Sequence, residues 1–188
     1  MAQAKTLTQA ELDQVLAYVT SRSFATRNRV MLLTGYWSGM RVGEIASLSV
    51  ADVCNADGTA KSEIRLTADQ TKGRHPRTVF VPQKLRDELQ AYLALRAPLK
   101  NEHPLFITAG RKGFTANVMT QHFYWLFKSA GISGASSHTM RRSFITNLAT
   151  KGIGVRVLAS LAGHRSIAVT QKYIDVNDDM KRNAVELL

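Results

Sequence analysis

The chain has 188 residues, with 25 Lys and Arg against 14 Asp and Glu, for a formal net charge of +11. That length suits one domain with a sizeable core, or at most two small ones, and there is no run of ~20 apolar residues to cross a membrane. The single cysteine, Cys54, excludes an internal disulfide and is too little for a zinc site. The N-terminal "MAQAKTLTQAELDQ" has no apolar signal core, so a cytoplasmic protein is expected. The charge points to nucleic acid rather than to a membrane surface. From His103 through Ile174 the chain has no Asp or Glu, and the same 72 residues hold nine Lys or Arg. An even spread would put about five acids there, so this third of the protein is built to meet a polyanion.

In chain order, "TLTQAELDQVLAYVTS" predicts a helix with Thr8 and Glu11 as a capping box and Leu12, Val15, Leu16 and Val19 as its apolar stripe. "FATRNRVMLLTGYWSG" predicts a second helix ending near Gly39, and "MRVGEIASLSVADV" a third. "EIRLT" and "RTVFVP" alternate as strands around the polar turn "ADQTKGRHP". Helices resume over "PQKLRDELQAYLALRA" and over "NVMTQHFYWLFKSAG", the latter ending at Gly131. "SSHTMRRSFITNLATKG" predicts a helix capped by Ser136 or Ser137 and closed by Gly152. "GVRVLASLAGH", "SIAVTQKYI" and a last helix from about Asp178 complete the chain. No repeat or long linker interrupts it. The fold class is mainly α with a small antiparallel β-sheet, as one domain over 1–188 with its core at about 8–176.

Two helices carry the same oddity. Arg41 is followed by Ile45 at i+4 and Leu48 at i+7; Arg141 is followed by Ile145 and Leu148 at the same offsets. Each arginine heads an inward apolar row, which is costly unless something anionic meets it. Glu44 stands three residues from Arg41, so a surface pair is the plain alternative for that arginine; no local acid is placed to pair Arg141. His138, one turn before Arg141, joins it on an acid-free surface. A phosphate matches the guanidinium fork. Further on, Gly163 permits a turn, His164 follows it, and Tyr173 ends the acid-free stretch.

"SGMRVGEIASLSVADV", "HTMRRSF" and "LAGHRSIAVTQKYIDV" resemble the three signature boxes of the tyrosine recombinase (phage integrase) family, in the family's order, over roughly residues 25 to 176. The resemblance implies a mainly helical catalytic domain that cuts and rejoins DNA through a 3′-phosphotyrosine, with neither metal nor ATP. It implies Tyr173 as nucleophile, Arg41 and Arg141 on the phosphate oxygens, His138 as proton acceptor or phosphate ligand, and His164 as hydrogen-bond donor. Lys72, in the hairpin turn, matches the lysine that protonates the leaving 5′ oxygen. Arg74, Arg77, Arg142, Arg165 and Lys172 are candidate contacts to the DNA backbone. The implied partners are double-stranded DNA, further copies in a tetrameric synapse and an accessory DNA-bending protein, all at the nucleoid.

Two departures stand out. Arg142 occupies a place where the family often has a further histidine. The core-binding domain that most members carry before the catalytic domain is expected to be absent. The last helix, with Met180, Ala184 and Leu187 or Leu188 on one side, packs on its own domain or docks in a neighbouring protomer. A helix-turn-helix regulator without chemistry is the main alternative, because Gly163 separates two short helices; a type IB topoisomerase is the other. A metal nuclease or a Ser-His-Asp hydrolase lacks acids near the basic face.

Overall fold

The computed structural model describes residues 5–97, 100–174 and 178–186. Its elements are α1 (Gln9–Thr20), α2 (Ala25–Ser38), α3 (Val42–Ala46), α4 (Val50–Val53), β1 (Glu63–Leu66), β2 (Arg77–Phe80), α5 (Gln83–Arg96), α6 (Ala116–Ser129), α7 (Thr139–Thr150), α8 (Val155–Ala162), α9 (Ile167–Gln171) and α10 (Asp178–Val185). The fold is mainly helical with one two-stranded antiparallel sheet, as the hydrophobic periodicities predict. The pairing sets Ile64 opposite Val79, and both are buried.

The Thr8–Glu11 capping box is present, and Leu12, Val15 and Val19 are buried beneath it. α2 is the centre of the molecule: Val30 through Tyr36 are buried without a break. α7, α5 and α1 pack around it. Its two glycines let α7 come close. A Cβ on Gly35 would lie 2.9 Å from Met140 Sδ, and one on Gly39 would lie 2.4 Å from the Phe144 ring. Gly39 also ends the helix at φ +66, a left-handed conformation that glycine adopts freely. This approach brings the carbonyl of Gly39 to Arg141.

Two sequence expectations need correction. The predicted third helix is two short ones. Ser49 donates its amide and hydroxyl to the Asp52 carboxylate (2.8 and 2.9 Å), which starts α4 afresh. The intervening backbone pairs with 103–105 instead, through Val50 N–H to His103 O and Leu105 N–H to Leu48 O. Leu48 is buried, but not as part of a helical row. The second correction concerns α7. Its cap is His138, not a serine. Ser136 is used one turn earlier: its hydroxyl accepts the His138 amide (3.3 Å), and its own amide donates to Thr139 Oγ1 (2.9 Å). Gly152 closes the helix with φ +81, as expected.

For α10, Ala184 and Val185 are exposed. Asn177, the Met180 side chain, Leu187 and Leu188 lie outside the described residues. Among the described residues no helix is long and apolar enough to cross a membrane.

Candidate active site

The site forms around the C-terminal end of α8. A helix ends with unsatisfied carbonyls and a partial negative charge, and here three successive carbonyls each meet an arginine from a different part of the chain. Arg77, opening β2, donates to Leu161 O (2.9 Å). Arg141, in the first turn of α7, donates to Ala162 O. Arg41, the cap of α3, donates to Gly163 O (3.3 Å). Arg141 also donates to Gly39 O at 2.7 Å. Its inward position is therefore satisfied by two helix-end carbonyls, a kind of partner that an inventory of nearby acids misses.

One carboxylate lies among these cations. Glu44 is 1% exposed. It accepts from Arg77 Nη2 (2.7 Å) and Nε (3.3 Å), from Arg41 Nη1 (3.1 Å), and from the Arg41 amide (2.8 Å). Burial alone would raise its pKa, but Arg77 and Arg41 outweigh burial and hold it below its ordinary value. Sequence spacing offered the Arg41–Glu44 pair only as a surface alternative to a phosphate; the pair is present, and its carboxylate is buried. Spacing missed Arg77, whose side chain is 10% exposed. Arg77, a candidate DNA contact from the sequence, is held in the structure as a partner of Glu44. The signal was available: Arg77 and Val79 are two apart on a strand and share its inward face.

Among the described residues, three guanidiniums face one carboxylate, which leaves two positive charges in excess. The burial of Arg141, followed by repulsion from Arg41, pushes its pKa down to about 9; at neutral pH it remains a cation. Arg41 is the most open of the three, with 27% of its side chain exposed. The cluster is arranged to receive an anion.

His164 and Tyr173 stand beside it. The amides of Gly163 and His164 bond back to Ser160 O (3.0 Å) and Ala159 O (2.9 Å), closing α8 in a Schellman motif that fixes the His164 backbone. A Cβ on Gly163 would come within 2.6 Å of Arg77 Cδ, so this glycine is needed for both its φ of +63 and its closeness to the cluster. The His164 and Tyr173 rings stack at 5.7 Å and 23°. Thr146 on α7 donates to Tyr173 O (3.1 Å). The Arg142 guanidinium lies 5.5 Å from the Tyr173 ring centre, and its Nε donates to Thr6 Oγ1 (3.2 Å). Arg142 is buried and its guanidinium faces the tyrosine ring.

The remaining predicted residues are exposed. His138 is exposed at the start of α7, one turn from Arg141. Lys72 is exposed in the hairpin turn, and among the described residues no hydrogen bond or ion pair joins it to the cluster. Arg74 is also in that turn, paired with Asp69 at 2.9 Å, with both side chains 81% exposed. Arg165 and Lys172 are exposed on either side of α9.

Two histidines are held neutral. Burial, followed by the charges of Arg141, Arg41 and Arg77, lowers His164 to about 4. Burial, followed by Arg27, lowers His122 to about 4; among the described residues its buried Nε2 has no hydrogen-bond partner. Both folded values lie below the unfolded value, so the unfolded chain takes up these protons first. Stability present above about pH 6.5 is expected to fall as pH drops toward 4. Urea unfolding at pH 7 and pH 5 checks this: the midpoint falls at pH 5, and His122→Phe reduces the difference.

Residues 5–180 match the family model described as "Phage integrase family". The chain belongs to this family. It is 28% identical over 185 residues to the tyrosine recombinase XerA of Pyrococcus furiosus, covering 97% of this chain and 61% of XerA. A crystal structure of XerA recombinase has the same fold, with a TM-score of 0.77 at 25% identity, covering all of this chain and 66% of that one. The Tn1549 transposon integrase, solved in complex with a circular intermediate DNA, shares the fold at a TM-score of 0.78 and 20% identity, over all of this chain and 67% of the integrase. This chain spans about three fifths of the length of the curated relatives it matches.

Proposed function

We propose that this chain is the catalytic part of a site-specific DNA recombinase that cleaves and rejoins double-stranded DNA through a 3′-phosphotyrosine at Tyr173, needing neither metal nor ATP. The observation that carries the reading is the convergence of Arg41, Arg141, His164 and Tyr173, far apart in sequence, on the end of α8 with positive charge in excess. A phosphodiester meets that excess. The Tyr173 hydroxyl attacks phosphorus in line. An O–P bond to the tyrosine forms, and the P–O5′ bond breaks. Arg41 and Arg141 stabilise the charge developing on the non-bridging oxygens. His138 accepts the tyrosine proton or steadies the phosphate, Lys72 protonates the departing 5′ oxygen, and His164 donates a hydrogen bond. Attack by a 5′ hydroxyl on the phosphotyrosine reverses the chemistry and rejoins a strand, so the bond energy is conserved.

The net charge of +11 and the acid-free run support a DNA partner. Arg74, Arg165 and Lys172 supply exposed cations for its backbone. Assembly as a tetramer on DNA, with an accessory bending protein, belongs to the same reading. So does docking of α10, whose Val185 is 67% exposed, into a neighbouring protomer. Removing residues 178–188 is expected to reduce the size of the DNA-bound assembly in light scattering; an unchanged size refutes the docking.

Covalent trapping tests the chemistry. Wild type incubated with a nicked suicide substrate and quenched in denaturant is expected to give a protein–DNA adduct on a Tyr173 peptide, which Tyr173→Phe abolishes. DNA binding without an adduct would favour the helix-turn-helix reading. Relaxation of plasmid without strand exchange would favour the topoisomerase.

A further inference from the structure

The proposed role of His164 requires an N–H aimed outward, and a neutral imidazole has only one. His164 Nδ1 lies 2.9 Å from Thr170 Oγ1. Thr170 is fully buried on α9, so its hydroxyl proton has no water to turn to. In helices a threonine or serine hydroxyl commonly bonds the carbonyl four residues back. Thr20, Thr34, Thr120 and Ser143 all do so here. For Thr170 that carbonyl would be Ser166 O, and among the described residues no such bond is made. Among the described residues the hydroxyl has one hydrogen-bond partner, the imidazole.

We infer that Thr170 is a positioning residue that donates its hydroxyl proton to His164 Nδ1 and thereby fixes the imidazole as the Nε2–H tautomer, a donor for a phosphate oxygen. The inference deepens the recombinase reading and rests on it for the identity of the acceptor. The rest of the ring's surroundings agree. The Schellman motif holds the His164 backbone and the Tyr173 ring covers its face, so the hydrogen bond at Nδ1 is left to choose the tautomer. A bare Nδ1 is the acceptor that the Thr170 proton needs, and the surrounding guanidiniums disfavour a second proton on the ring. The functional consequence is directional. With its proton on Nε2, His164 gives a hydrogen bond; with it on Nδ1, the same ring would turn a lone pair toward an anion.

The test reads the tautomer directly and without DNA. Two-bond 15N–1H correlation spectra of the full chain labelled at histidine nitrogens, with His164 assigned through His164→Gln, are expected to show the Nε2–H form at pH 7. Thr170→Val, nearly isosteric, is expected to mix the tautomers and slow strand cleavage by about ten-fold, the worth of one hydrogen bond, with DNA retention unchanged. Thr170→Ser, which keeps the hydroxyl, restores both. An Nδ1–H form in wild type overturns the inference, as does an unchanged tautomer in Thr170→Val. If the tautomer behaves as expected but no adduct forms at Tyr173, the recombinase reading fails and the positioning by Thr170 stands.

Discussion

Arg141→Ala is expected to reduce strand cleavage by about 10²–10³-fold, the range for losing one preorganised donor to a developing oxyanion, while leaving the fold in place. The two effects separate because the arginine is held in a mixed balance. It satisfies the carbonyls of Gly39 and Ala162, and leaving two buried acceptors empty costs roughly 1–3 kcal/mol each. Against that, Arg141 is buried among like charges: Arg41 and Arg77 both push its pKa down. Its removal relieves that repulsion, so the net loss of stability is expected to be about 1–3 kcal/mol, within what a typical core substitution costs. Single-turnover cleavage of a suicide substrate, paired with urea unfolding, measures both. Arg141→Lys keeps the charge but cannot span two carbonyls and an oxyanion, and it is expected to recover stability more than rate. A rate loss that only tracks unfolding would mean that Arg141 is structural.

Glu44→Ala is expected to have the opposite profile. Glu44 is the sole carboxylate bonded to Arg77 and Arg41 among the described residues. Its loss leaves three guanidiniums facing one another around a helix end. Breaking a buried ion pair from one side costs about 3–5 kcal/mol, enough to remove a large part of a domain's stability. The pH dependence gives the sign. The folded carboxyl titrates below its ordinary value, so its stabilisation is full above the unfolded value of about 4.3 and disappears as pH falls through the folded one. The gap between wild type and Glu44→Ala is therefore widest at neutral pH and closes on acidification below pH 4. Added sulfate is expected to raise the melting temperature of Glu44→Ala more than that of wild type, because an anion can take the place of the carboxylate. A Glu44→Ala protein as stable as wild type at pH 7 would show that the helix-end carbonyls alone balance the three arginines.

The sequence by itself determined the helices, the hairpin, the Thr8–Glu11 cap, the glycine stops at Gly39 and Gly152, and the alignment of Arg41, Arg141, His164 and Tyr173 with a family of DNA-cutting enzymes. These are local patterns: a period of 3.6 or 2, a cap three residues from its partner, a short motif. Tertiary structure decided what those motifs touch. The partners of Arg141 are backbone carbonyls at the ends of α2 and α8, and every residue has a carbonyl, so no sequence marks the two that matter. The pairing of Glu44 with Arg77 spans 33 positions, and it exists because folding brings Arg77, at the start of β2, within reach of both Glu44 and the end of α8. Ser49 split a predicted helix and Ser136 gave up a predicted cap because nearby side chains and backbone offered their polar groups better partners. Thr170 reads as an ordinary helical threonine until the Gly163 turn brings His164 back across it. Spacing identifies which residues carry the chemistry, whereas the direction of each charge and proton depends on atoms that only packing brings together.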